Sequence, residues 1–345
     1  MNPEKIINYL KQCRTDIKIM EICGTHTTSI VKSGIKNIIS PTIKLVSGPG
    51  CPVCVTPSSY IDILSEYAFK PGYTVLSFGD MFRVRGSRHS LSDAKAKGAN
   101  VQLIYSPLES VNLAKKNPHI TYILAAVGFE TTIPVYAVLI DELIKNNIEN
   151  VKLLTALKMI LPAINYICEN EEIDAFLCPG HVSVVIGSNA YHELCTTYRK
   201  PFVIAGFESE HILAAIYQIV CQVENNRANV KNLYKSIVSA GGQIKAIELT
   251  NRYFTGSSAF WRGIGKIKNS GMFLKEEFRV FDLGSREITA DFLEKGCRCG
   301  DVILGRICPE QCELFAKVCS PSNPVGPCMV STEGSCGVWY GNLKK

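Results

Sequence analysis

No stretch of this 345-residue chain is apolar for the roughly 18–20 residues that a membrane span needs. The first 20 residues also lack the long apolar core of a secretory signal. Long basic blocks are missing too. There are 37 Lys and Arg against 31 Asp and Glu, a net charge of only +6, with no stripe to track a nucleic-acid backbone. Nucleotide signatures are absent as well: the Gly48-Pro49-Gly50 turn has no third glycine of a dinucleotide fingerprint, and no phosphate loop of the Walker type occurs. At 46% hydrophobic and 20% charged, the chain can build cores, which excludes disordered and fibrous classes. The expectation is a soluble cytoplasmic protein of two or three domains, without nucleic-acid or membrane partners.

Cysteine, by contrast, is plentiful. There are fifteen, and seven lie between Cys297 and Cys336. A reducing compartment keeps such thiols free, so their clustering points to a metal, an iron–sulfur cluster or redox chemistry.

Short apolar runs recur along the first 210 residues: 18–22, 43–47, 74–78, 101–105, 122–127, 175–178 and 202–206. Amphipathic stretches separate them, among them 58–69, 133–145, 155–169 and 209–223. That alternation predicts an α/β fold with parallel sheets covered on both faces. Residues after about 222 read first as a charged helix and then as short strands and loops; beyond 290 a small cysteine-organised region is expected.

The runs end in glycine-containing polar turns. They are Cys23-Gly24-Thr25-His26, Gly48 to Cys54, Gly79-Asp80, Gly128-Phe129-Glu130, Pro179-Gly180-His181 and Gly206-Phe207-Glu208. Open parallel sheets bind ligands beyond the carboxyl ends of their strands, so these turns predict one shared cleft. The Gly-Phe-Glu core repeats at an offset of 78 residues, which suggests two similar lobes facing each other.

Several residues qualify for chemistry. Cys51-Pro52-Val53-Cys54 has the spacing of a redox dithiol, and a helix capped by Ser58 or Ser59 nearby would lower the first thiol's pKa. Half of a metal knuckle is the alternative, but a second such pair is lacking. Cys23 and His26 suit a nucleophile–base pair or two metal ligands. His181, Glu130, Glu208 and Asp80 are strand-end cleft candidates, although each of the three acids could equally cap a helix. The uneven C-terminal spacing suits a cube-shaped cluster reached from several loops. A zinc site and unligated thiols remain alternatives, and spacing alone does not choose four of the seven.

Taken together, MEICGTHT, SGPGCPVCVTP, FGDMFRV, GFETT, CPGHVS, WRGIGKI and the CGDVILGR…STEGSC tail resemble the HypD family of [NiFe]-hydrogenase maturation factors, from about residue 20 to 340. The resemblance implies two Rossmann-like lobes, 1–118 and 119–222, and a third domain, 223–345, holding one [4Fe–4S] cluster. The family's cluster pattern falls on Cys299, Cys312, Cys319 and Cys336, its dithiol on Cys51 and Cys54, and its iron-handling cysteine on Cys23 beside His26. It further implies an assembly scaffold with redox chemistry rather than a conventional turnover enzyme. A HypC-type chaperone would share an iron carrying cyanide and carbonyl ligands, and a HypE-type donor would supply the cyanide. Three positions depart from the family pattern: Arg85 and Lys268, where proline is frequent, and Thr28, where a second histidine is common. A disulfide reductase that uses an iron–sulfur cluster is the rival reading, but it leaves Cys23, His26 and both Gly-Phe-Glu turns without a task.

Overall fold

The computed structural model describes residues 3–288, 291–292 and 294–343. Eleven strands follow one another: β1 (Ile17–Glu21), β2 (Ile43–Ser47), β3 (Tyr73–Ser77), β4 (Val101–Leu103), β5 (Thr121–Gly128) and β6 (Val151–Lys158). Then come β7 (Ala175–Cys178), β8 (Phe202–Ile204), β9 (Val230–Asn232), β10 (Phe254–Trp261) and β11 (Gly265–Leu274). They form a five-stranded sheet, β2-β1-β7-β8-β9, and a six-stranded sheet, β10-β11-β6-β5-β3-β4. Every pairing in the first sheet is parallel. The second is parallel except where the β10–β11 hairpin adds on antiparallel to β6. The expected mixed α/β class is therefore present, with two sheets dominated by parallel pairing.

Burial explains the continuous apolar runs. β7 is buried at all four positions, and β5 at every position after Thr121, because helices cover both faces. In the first sheet Phe176 lies in register with Phe202, and their rings stack at 4.9 Å. Burying each such ring contributes about 1.5–3 kcal/mol.

Two segments differ from the sequence expectation. Residues 155–158, read as the start of a helix, are the end of β6, and the helix begins only at Ile160. A strand buried on both faces has no period-2 alternation, so the Leu-rich run resembled a helix. Residues 225–235, read as part of a charged helix, contain β9 instead; the preceding helix ends at Glu224. Segments 1–118, 119–222 and 223–345 each contribute strands to both sheets, since the chain crosses from one sheet to the other and back. The cysteine-rich segment from Glu294 onward forms only short helices and turns. Its last helix, Ser335–Asn342, packs on the helix Gly24–Lys32, and Lys36 sits 4.2 Å over the Trp339 ring. No helix among the described residues is long and apolar enough to cross a membrane.

Candidate functional site

β1 ends at Glu21, and the chain turns through Cys23, extended at φ −162°, into the helix Gly24–Lys32. Two glycines let other segments close on this turn. A Cβ at Gly50 would lie 2.7 Å from the Cys23 backbone, so only glycine lets the Gly48–Cys54 loop come so near. A Cβ at Gly24 would lie 2.3 Å from the Glu333 carbonyl oxygen, which brings the C-terminal segment against the same turn.

Around this junction lies a pocket of about 510 Å³. Cys23, Thr131, Thr132, His181 and Glu333 supply its polar groups, while Ile22, Phe129, Ile160 and Val182 contribute apolar wall. Four of the six strand-end motifs thus meet at one place, joined by Glu333 from the 331–334 loop.

Cys23 is 7% exposed, and burial together with the Glu21 carboxyl pushes its thiol up to about 11. The amides of Thr25 and His26 at the helix start work in the opposite direction without prevailing. The thiol is therefore protonated at neutral pH, and a metal that bound it would displace the proton. Glu21 is itself buried, accepts from the Cys23 amide at 3.2 Å and from the Thr27 hydroxyl, and is raised by burial to about 7.

His26 is fully buried. Its Nε2 lies 3.0 Å from the Gly206 carbonyl oxygen, which can only accept, so Nε2 carries the proton. Nδ1 is then a lone-pair donor, and it has no hydrogen-bond partner in the structure. Burial lowers this imidazole to about 4, which keeps it neutral. A neutral ring with one free nitrogen is the form that ligates metals.

The remaining candidates part ways. His181 is exposed on the pocket wall, with its ring 4.2 Å from that of Phe207. Glu130 is 8% exposed and does not line this pocket; its Oε1 accepts from the Ile160 amide at 2.8 Å. Its counterpart in the repeat, Glu208, is 72% exposed, pairs with His211 at 2.7 Å and does not line the pocket. Asp80 accepts from the Ser331 hydroxyl at 2.9 Å and so ties its turn to the C-terminal loop.

Glu130 carries a pH prediction. Burial raises its pKa to about 7, and Oε2 has no partner. A raised acid contributes stability that is fully present below its unfolded value near 4.5 and lost as pH rises through 7. His26 runs oppositely: its contribution is lost as pH falls from 6.5 toward 4. Glu130→Gln keeps the acceptor for Ile160 and removes the ionisation. Compared with the parent in urea unfolding, it should gain on the order of 2 kcal/mol more at pH 8 than at pH 5. An equal shift at both pH values would refute this assignment.

Cys51 and Cys54 carry free, buried thiols, and the Cys54 amide donates to Cys51 Sγ at 3.3 Å. The expected serine cap is not formed. Pro57 holds the N-cap position of the helix Ser58–Ala68, and the Ser58 amide and hydroxyl both donate to Asp291. Burial pushes the Cys54 thiol well up.

Beyond Cys54 the thiols continue. The Cys328 sulfur is within hydrogen-bonding reach of Cys54, Cys299 and Cys336, and Cys299 is likewise close to Cys297. Cys319 faces the same group electrostatically, whereas the nearest partner of Cys312 is the Gly296 carbonyl at 4.0 Å. Among the described residues no preformed set of metal ligands is gathered. The soft, sulfur-only donor set nevertheless fits a metal cluster. Sequence reasoning missed Cys328 and Glu21. Glu21 left one signal, a carboxylate at the end of an apolar strand.

A model of the HypD family, described as hydrogenase formation, matches residues 3–342. The chain is 40% identical over 335 residues to the hydrogenase maturation factor HypD of Azotobacter vinelandii, covering 94% of this chain and 88% of that one. It is 36% identical to the factor of the same name from Escherichia coli, again over 94% and 88%. A third, from Cupriavidus necator, is 36% identical over 93% of this chain and 88% of its own.

Proposed function

This chain belongs to the HypD family of hydrogenase maturation factors, and from that premise we propose that it is the scaffold and redox component on which the Fe(CN)2CO unit of [NiFe]-hydrogenases is assembled. The observation that carries the proposal is the convergence of Cys23 and its neighbours on one pocket from which a line of thiols leads to the cysteine-rich segment.

On this reading the two sheets are Rossmann-like lobes facing a cleft, and the pocket is its floor. Iron is the cargo. Cys23 offers it a thiolate once the proton is displaced, and the neutral His26, which does not itself line the pocket, stands beside that cysteine. The apolar wall keeps water from competing for the metal, while Thr131, Thr132 and His181 supply polar contacts for its diatomic ligands. Cyanide comes from a HypE-type donor, and a HypC-type chaperone closes over Cys23 and shares the iron. The setting is the cytoplasm.

Cys51 and Cys54 store two electrons: a disulfide takes up two electrons and two protons to give two thiols. Cys299, Cys312, Cys319 and Cys336 are the four thiolates that the family spacing assigns to a [4Fe–4S] cluster, which supplies single electrons when bound. The contact of Cys328 with Cys299 and Cys54 favours a second arrangement. In it Cys297 takes the first ligand position, and Cys299 pairs with Cys328 as a second dithiol beside Cys54.

Anaerobic co-expression with a small HypC-type chaperone tests the function. A stable complex containing iron beyond that of the cluster is expected. A cluster-bearing chain that captures no chaperone but reduces a thioredoxin-type disulfide is instead a reductase, and zinc in place of iron overturns both readings.

A further inference from the structure

A second pocket, of about 300 Å³, lies at the carboxyl end of β6 and shares no lining residue with the site above. Its walls are the last four residues of β6, parts of β10 and β11, the turn Ser285–Ile288, and Pro57 at the end of the dithiol loop. Its charged lining residues are Lys158, Lys266 and Arg286, and no acid is among them. Ser257 and Ser258 add hydroxyls.

A buried lysine marks it as suited to an anion. Lys158 is 4% exposed, and its Nζ donates to the Phe260 carbonyl at 2.7 Å. No carboxylate offsets its burial, which alone lowers the amine to about 7. A buried cation without a counter-charge is costly unless a ligand provides one. Of the acids next to the lining, Asp282 is engaged by the amide and hydroxyl of Ser285, Asp291 by the amide and hydroxyl of Ser58, and Glu287 is exposed and does not line the pocket. Arg286 is steadied by lying 5.1 Å over the Phe273 ring.

We propose that this pocket binds a small phosphate-class oxyanion, held among Lys158, Lys266 and Arg286. The position is one where open sheets accept ligands, beyond a strand's carboxyl end. The volume exceeds that of inorganic phosphate and admits a small phosphate monoester. The inference is independent of the maturation reading, because none of the residues assigned to iron or thiol chemistry takes part.

The test is titration of the purified full chain with inorganic phosphate at low chloride, followed by calorimetry and by phosphorus NMR line width. Saturable binding is expected, and the double variant Lys266→Gln/Arg286→Gln, both exposed side chains, should weaken it about tenfold or more, the scale of charge-assisted hydrogen bonds. Lys158→Met should fold, since it replaces a buried amine that has no counter-charge with an apolar chain of similar length, and should lose binding equally. Displacement of phosphate by glycerol 3-phosphate at lower concentration marks an ester as the better ligand; its failure to displace marks free phosphate. Absence of saturable binding, or binding unchanged in the double variant, overturns the proposal.

Discussion

Cys23→Ala is expected to abolish retention of the cargo iron, and with it hydrogenase maturation, while the iron of the cysteine-rich segment stays in place. Cys23 is the only thiol that lines the main pocket among the described residues, so no neighbouring sulfur can substitute. Truncation removes one buried sulfur and should cost stability by about 1 kcal/mol, too little to unfold the chain. The discriminating measurement is iron and sulfide analysis of the chaperone complex purified from the variant. Loss of the additional iron with about four cluster irons retained supports the assignment. Retention of the additional iron places the cargo elsewhere. Because the Cys23 thiol must give up a proton held at about 11, iron uptake by the parent should also improve as pH rises from 6 to 8.

The second large effect falls on the C-terminal thiols. Alanine at Cys312, Cys319 or Cys336 should each remove the cluster's iron, sulfide and colour, since four thiolates are needed and water replaces one poorly. Cys328→Ala should keep the cluster and instead slow reduction of the Cys51–Cys54 disulfide, because Cys328 is the thiol in contact with both Cys54 and the cysteine-rich group. Alanine at Cys297 and at Cys299, compared side by side, decides which of these adjacent thiols is the remaining ligand. Loss of the cluster in Cys328→Ala with its retention in Cys312→Ala would reverse the assignment.

Much of the fold was legible because strand burial leaves a plain trace. Seven apolar runs coincide with strands to within about a residue at their starts, and the glycine turns after them predicted where pocket walls would form. β6 escaped because a strand buried on both faces, followed at once by a helix, gives one long apolar stretch with no boundary. Sheet membership escaped for a different reason. Nothing local tells β2 that its neighbour is β1 in one sheet while β3 starts another.

The candidate site shows the same division. Cys23, Cys51, Cys54, His26 and His181 were visible from residue type and position at strand ends. The two Gly-Phe-Glu turns looked equivalent, yet Glu130 is buried against a helix start and Glu208 points to solvent beside His211. Which side of a turn faces the core is set by the packed sheets, not by the tripeptide. Cys328 could not be singled out from spacing, since its significance lies in a contact with Cys54 from far along the chain.

On the function proposed above, the pocket around Cys23 carries an iron bearing cyanide and carbonyl ligands. Infrared spectroscopy of the anaerobically purified chaperone complex, from cells grown with and without isotopically labelled cyanide precursor, tests it most directly. Cyanide and carbonyl stretching bands are expected in the parent complex, with label-dependent cyanide shifts, and should be absent in Cys23→Ala. A cluster-bearing complex with no such bands, or with bands that persist in the variant, would contradict it.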